Sequence, residues 1–251
     1  MDRGDDDPPG IVHVWLLGAP EEADDARATR ALALLDADER ARLSRLRDGA
    51  DARRYLFAHA LARTMLTRYA PEVPPEGWRF RLGAHGRPEI ADAPGALRFN
   101  LSHTAGLVAC AVAHGRDVDV GVDVEHLYPR GWGDEACLEI AAAHFAPAEA
   151  AALAAAPADA RRALFFELWT LKEAYAKARG FGLALPLASF SFEPRTPEVR
   201  LRCAPDVDED PDGWRFERLR PTPRHALAVA ARCAPGETLS VRICAAESDS
   251  P

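Results

Sequence analysis

The chain has 251 residues, 48% of them hydrophobic and 28% charged, which is enough apolar material for one large or two small globular domains and excludes a fibrous or wholly disordered protein. A net charge of −8 argues against a dedicated nucleic-acid binder, whose electrostatic footprint is a basic excess. Five cysteines (Cys110, Cys137, Cys203, Cys233 and Cys244) form no CxxC pair and no short even framework, so neither a zinc site nor a disulfide scaffold is signalled, and reduced thiols in a cytoplasm fit best.

Residues 1–10, MDRGDDDPPG, read as a disordered leader, acidic and rich in Pro and Gly where an export signal needs a basic start and an apolar run. Ile11–Leu17 is expected to be a buried strand on its β-branched and aromatic content. Helices are expected around Asp36–Arg47 and Asp51–Tyr69. In the second, Tyr55, Leu56, Ala58, Leu61, Ala62, Met65 and Leu66 form an apolar stripe, ended by Pro71, Pro74 and Pro75. Six arginines lie between Arg40 and Arg54; the cluster suits an anionic ligand or, equally, a solvated helical face. Short strands follow at Trp78–Leu82, Leu97–Leu101 and Leu107–Ala113, with Ser102–Gly106 as the turn between the last two.

From Val118 the order begins again: a strand to Glu125, helices at Glu135–His144 and Arg161–Arg179, then strands near Ser189–Phe192, Val199–Cys203, Trp214–Arg218, Ala226–Ala231 and Leu239–Cys244. This places a boundary near Gly115 and divides the chain into a leader (1–10), a first α+β half (11–114), a second (115–245) and a tail (246–251). The longest apolar run, near Ala105–Ala113, is far short of the roughly 20 residues that span a bilayer, so no membrane segment is expected.

In VDVGVDVEHL the valines at 118, 120, 122 and 124 alternate with Asp119, Gly121, Asp123 and Glu125. Period-two geometry therefore puts Asp123 and Glu125 on one face, their Cβ atoms roughly 6–7 Å apart, with Gly121 expected to leave open backbone beside them. Such a pair can hold a hard cation together with substrate phosphates, or can simply be the acidic face of a half-exposed strand. Along Arg161–Arg179, Leu164, Leu168, Leu171, Tyr175 and Ala178 form the core stripe, while Trp169, Glu173 and Lys177 line up on a second face with Lys172 adjacent. Glu173 and Lys177 are either a metal ligand or base beside a phosphate cation, or a plain surface ion pair. Ser102 and His103 are neighbours and point to opposite sides of an extended segment, so they are not a nucleophile with its own base. No GxSxG, HExxH, Walker A or GxGxxG sequence occurs.

Four motifs occur in order: HGRP (85–88), FNLSHT (99–104), GVDVE (121–125) and WTLKEAYAKARGFGL (169–183). Together they resemble the Sfp-like 4′-phosphopantetheinyl transferases. The resemblance implies an α+β fold that is a pseudo-dimer of two similar halves with the active site in the cleft between them, and hence a monomer. It implies a holo-[acyl-carrier-protein] synthase that moves phosphopantetheine from coenzyme A to a serine of an apo acyl or peptidyl carrier protein and releases 3′,5′-ADP, for polyketide, non-ribosomal peptide or siderophore assembly. By the same resemblance Asp123, Glu125 and Glu173 are Mg²⁺ ligands, Mn²⁺ being the other candidate ion, and Glu173 doubles as the base. Lys177 is implied at the pyrophosphate, Ser102, His103 and Lys172 at coenzyme A, Arg54 at its 3′-phosphate and Arg87 at the nucleotide end. Arg45 and Arg47 lie near two further basic positions of the family without a unique alignment. Two other readings stay open: a coenzyme A or carrier-binding module without catalysis, and a Mg²⁺-dependent phosphodiesterase using the same acids.

Overall fold

A computed structural model describes residues 11–18, 25–91, 97–115, 118–129, 131–193, 198–205, 207, 209–234 and 236–246. The expected leader and all but the first residue of the expected tail lie outside them. The described elements are β1 (Ile11–Gly18), α1 (Asp25–Leu34), α2 (Ala37–Leu43), α3 (Gly49–Tyr69), β2 (Phe80–Leu82), β3 (Pro88–Ile90), β4 (Leu97–Thr104) and β5 (Leu107–His114), followed by β6 (Val120–His126), α4 (Asp134–His144), α5 (Pro147–Ala154) and α6 (Ala158–Ala178). They end with β7 (Phe190–Phe192), β8 (Leu201–Cys203), β9 (Trp214–Thr222), β10 (His225–Arg232) and β11 (Ser240–Ala245). The protein is mixed α+β, as expected. No described helix is long and apolar enough to cross a membrane.

Two sheets organise the molecule. The first runs β11-β1-β5-β4 and the second β6-β10-β9. Alternation along the strands explains how they stack. On β5, Val108, Cys110 and Val112 turn toward α3, whereas Leu107, Ala109, Ala111 and Ala113 join Val12, Val14, Val120, Val122, Val124, Leu227 and Val229 in a core between the sheets. On β10, Ala226, Ala228 and Ala230 turn the other way, toward α6. The order through the molecule is therefore helix, sheet, sheet, helix, with a 21-residue helix covering each outer face.

Local chemistry fixes the helix ends. Asp36 and Glu39 form a capping box at the start of α2, and Asp48 accepts the Ala50 amide at the start of α3. At the far end of α6, Gly180 adopts φ +75°, which lets the Phe181 amide turn back to Ala176 O.

Four expectations are corrected. The strand expected at Leu239–Cys244 does not join the second half: β11 pairs parallel with β1, from Ile11↔Ser240 to Leu16↔Ala245. Its cross-chain pairing is invisible to local pattern. Ser102–Thr104 continue β4 instead of forming a turn, leaving only Ala105 and Gly106 between the strands. The first expected helix stops at Leu43, so Arg45 and Arg47 stand exposed on the connection to α3. Helix α1 was not expected, since its apolar residues are mostly alanines.

Candidate functional site

The valine alternation of β6 does what period-two geometry requires. Val120, Val122 and Val124 fill the core between the sheets, so Gly121, Asp123 and Glu125 face α6. Their cross-strand partners on β10 are Ala230, Ala228 and Ala226. A surface of glycine and alanine lets the helix come close. At Gly121 a Cβ would collide with Ala174 O and sit 2.6 Å from Ala178 N. The backbone beside Gly121 is thus closed by α6, and the expectation of open space there is corrected. That close approach delivers Glu173 and Lys177 to the acids of β6.

Lys177 Nζ lies 2.7 Å from Asp123 Oδ1 and 3.1 Å from Ser102 Oγ, and donates to Val122 O at 3.3 Å. Ser102 Oγ donates to Asp123 Oδ1 at 2.9 Å and accepts from Val124 N at 3.2 Å. The hydroxyl's bonding capacity is therefore committed within the protein. Asp123 is 3% exposed and Glu173 8% exposed, while Glu125 is half-buried. Burial raises the Glu173 pKa, helped by the Asp123 charge and opposed by Lys177. Glu125 is pushed up to about 8, first by burial and then by Asp123, with Lys177 and the Thr104 hydroxyl pulling it back. Three acids share one lysine.

On the opposite face of β4, His103 keeps an open side yet sits deep enough among protein atoms that desolvation pushes its pKa down to about 4, reinforced by Lys177, Arg54 and His59. Arg54, on the first turns of α3 and paired with Asp51, thus shares this region. Asp123, Glu125, Glu173, Lys177 and Ser102 gather where β4, β6 and α6 meet, with His103 and Arg54 on the α3 side of β4.

Comparison with known proteins bears on this constellation. The sequence model of the 4′-phosphopantetheinyl transferase superfamily matches residues 119–230, the stretch that holds the acids and α6. The chain is 32% identical to the 4′-phosphopantetheinyl transferase HetI of Nostoc sp. over 222 residues, 87% of this chain and 86% of that one. This chain belongs to that family. It is also 34% identical to a 4′-phosphopantetheinyl transferase of Bacillus subtilis over 73% of its length and 75% of the relative's, and 33% identical to Sfp of Bacillus subtilis strain 168 over 64% and 67%. As a 4′-phosphopantetheinyl transferase of the Sfp type, it transfers phosphopantetheine to carrier proteins.

Lys172 and Arg87, both expected at coenzyme A, are engaged within the protein. Lys172 is fully buried on another side of α6. Its Nζ pairs with Glu149 at 2.7 Å and donates to Leu187 O and Phe190 O, both at 2.7 Å, so all three N–H groups are used and none reaches a ligand. The expected coenzyme A contact of Lys172 is corrected accordingly. The Arg87 guanidinium donates to Lys177 O at 3.1 Å, Ala178 O at 2.8 Å and Val120 O at 3.1 Å. It caps the C-terminus of α6 and ties it to the edge of β6, using both terminal nitrogens inside the protein.

The acids suit a hard cation. Asp123 Oδ2 and Glu173 Oε1 are buried and have no hydrogen-bond partner, a costly state for charged oxygens unless something positive meets them. Among the described residues no three side chains of His, Cys, Asp and Glu converge into a metal cage by themselves. Sequence reasoning missed Asn100 and Thr104, whose side chains bond the edge of β6; their alternation with Ser102 in FNLSHT was the available signal.

Proposed function

We propose that this transferase takes its phosphopantetheine from coenzyme A in a Mg²⁺-dependent reaction at the seam between β4, β6 and α6, and places it on a serine of an apo acyl or peptidyl carrier protein. The observation that carries this reading is the pair of buried, unpartnered carboxylate oxygens, Asp123 Oδ2 and Glu173 Oε1, beside Lys177. Asp123, Glu125 and Glu173 would hold Mg²⁺, or Mn²⁺ as the alternative hard ion, and when bound the ion supplies neutralisation of the pyrophosphate charge.

The protein's own residues do the rest by position and charge. Lys177, part-exposed beside Asp123, would release its longer bonds to Val122 O and Ser102 Oγ to turn its ammonium to the pyrophosphate and meet the charge that develops on 3′,5′-ADP. Glu173 accepts the proton of the carrier serine. The serine oxygen then bonds to the β-phosphorus that bears pantetheine, and the bond from that phosphorus to the bridging oxygen breaks, the electron pair leaving with 3′,5′-ADP. His103 and Arg54 offer polar and cationic groups to the phosphates at the α3 side, Arg54 to the 3′-phosphate. Arg87 serves the nucleotide end indirectly, through the helix terminus that it caps.

Each sheet carries one long outer helix, and this supports a pseudo-dimer whose active-site cleft lies between the halves, complete in a monomer. The relatives' names, HetI and Sfp among them, support a role in activating secondary-metabolic assembly lines, and a cytoplasmic site suits carrier proteins that need activation where they are made.

The test is intact mass spectrometry of an apo carrier protein after incubation with the transferase, coenzyme A and Mg²⁺. The carrier is expected to gain one phosphopantetheine, with no gain in EDTA, and Glu173→Gln is expected to abolish transfer while leaving the fold intact. A Glu173→Gln enzyme with wild-type turnover would remove Glu173 as base, and a gain undiminished in EDTA would remove the metal.

A further inference from the structure

Among the described residues strand β6 is the edge of its sheet, paired with β10 alone. An edge strand leaves every second amide without a backbone partner. Here those amides meet side chains of β4. Asn100 Oδ1 accepts from Val122 N at 2.9 Å, Ser102 Oγ from Val124 N at 3.2 Å, and Thr104 Oγ1 from His126 N at 3.2 Å. The acceptors alternate along β4 as the donors alternate along β6, always 22 residues apart. Side chains thus stand in for a strand.

Two of these rungs do more. Ser102 Oγ donates to Asp123 Oδ1 at 2.9 Å, and Thr104 Oγ1 donates to Glu125 Oε2 at 3.2 Å. In both, one hydroxyl holds the carboxylate of one β6 residue and the amide of the next, its single hydrogen spent on the acid and a lone pair on the N–H. The backbone bond fixes the hydroxyl, and the hydroxyl fixes the acid. The Ser102 rung is shared with Lys177, but Thr104 bonds only the Glu125 carboxylate and the His126 amide. Glu125 has three side-chain torsions and is half-buried, so without Thr104 nothing in the described hydrogen bonds would hold its carboxylate in place.

We propose that Thr104 is a positioning residue for the cation site: its hydroxyl holds one oxygen of Glu125 and leaves the other free to join Asp123 and Glu173 around a divalent ion. The inference rests on the metal-dependent transfer reading above. Loss of a partner of this kind, one bond behind a ligand, typically costs about 10–100-fold in metal affinity or activity.

The experiment compares wild type with Thr104→Val, which removes the hydroxyl at nearly constant shape, and with Thr104→Ser, which keeps it. Coenzyme A binding is measured by calorimetry across a Mg²⁺ titration, the melting temperature of each metal-free protein is recorded, and transfer is followed over the same Mg²⁺ range. Thr104→Val is expected to need about tenfold more Mg²⁺ for half-maximal coenzyme A binding and transfer, with turnover recovering at saturating Mg²⁺. Thr104→Ser is expected to track wild type. A Thr104→Val protein that melts normally and keeps the wild-type Mg²⁺ dependence overturns the proposal, as do equal shifts in both variants. A wild-type enzyme whose coenzyme A binding and transfer ignore Mg²⁺ overturns the parent reading and this inference with it, and that outcome is visible before any variant is made.

Discussion

Helix α6 carries two lysines, each 2.7 Å from a buried carboxylate, and their surroundings differ in one respect that separates structure from function. Lys172 is sealed, with 0% of its side chain exposed, and its partner Glu149 is satisfied too, accepting from Ala146 N and Phe192 N as well as from the lysine. Burial pushes Glu149 up and Lys172 down, and each is held back by the other. This pair ties α5, α6 and the approach to β7 together, and nothing in it is left over. Lys177 keeps 25% of its side chain exposed, and around it Asp123 and Glu173 each retain an oxygen without a partner. An ion pair with all valences met is a brace; one with valences to spare is a place for a ligand.

Three substitutions probe the contrast. The largest loss of stability is expected from Lys172→Met, which strands a buried Glu149: about 3–5 kcal/mol by chemical denaturation, largely recovered in Lys172→Met/Glu149→Leu. A Lys172→Met enzyme of normal stability with a raised KM for coenzyme A would instead make Lys172 a ligand contact. Lys177→Met is expected to fall mainly on turnover, losing roughly 10²–10³-fold in kcat/KM, with a smaller loss of stability than Lys172→Met because Ser102 still donates to Asp123 and Lys177 is the more exposed lysine. The smallest effect is expected at the contact that brings only the second lysine into place. Gly121→Ala pushes α6 off β6 at Ala174 and Ala178, and should cost about 1–3 kcal/mol of stability with a kcat loss out of proportion to it. Equal damage to Lys172-dependent stability and to turnover would show that the helix shifts as a whole.

The sequence made part of this legible. The alternation in VDVGVDVEHL placed the valines and the acids on opposite faces, and the stripe from Leu164 to Ala178 oriented α6, because both depend only on local geometry. Lys172 was also readable in principle: five residues at 100° each put it about 140° around the helix from Lys177, too far to serve one ligand. The motif made the two look alike where the helical wheel separates them. Other features depended on partners far along the chain. Arg87 finds carbonyls 90 and 91 residues away, and Ser102 finds Asp123 through strand packing rather than pairing. Gly121 needed knowledge of which helix would lie over it. Such facts are written in the tertiary structure, and only their alphabet, a small residue here and a hydroxyl there, appears in the sequence.

The pairing of β11 with β1 bears on how the molecule is made. β1 is an apolar strand, IVHVWLL with a closing glycine, and its outer edge is covered by residues 240–245. On the ribosome that edge waits for residues 240–245 to emerge, so the sheet that holds β1 cannot close before they do. A polypeptide that stops short of β11 keeps the sticky edge uncovered and is driven toward aggregation. Deleting residues 240–245 is therefore expected to lower the soluble yield of the protein.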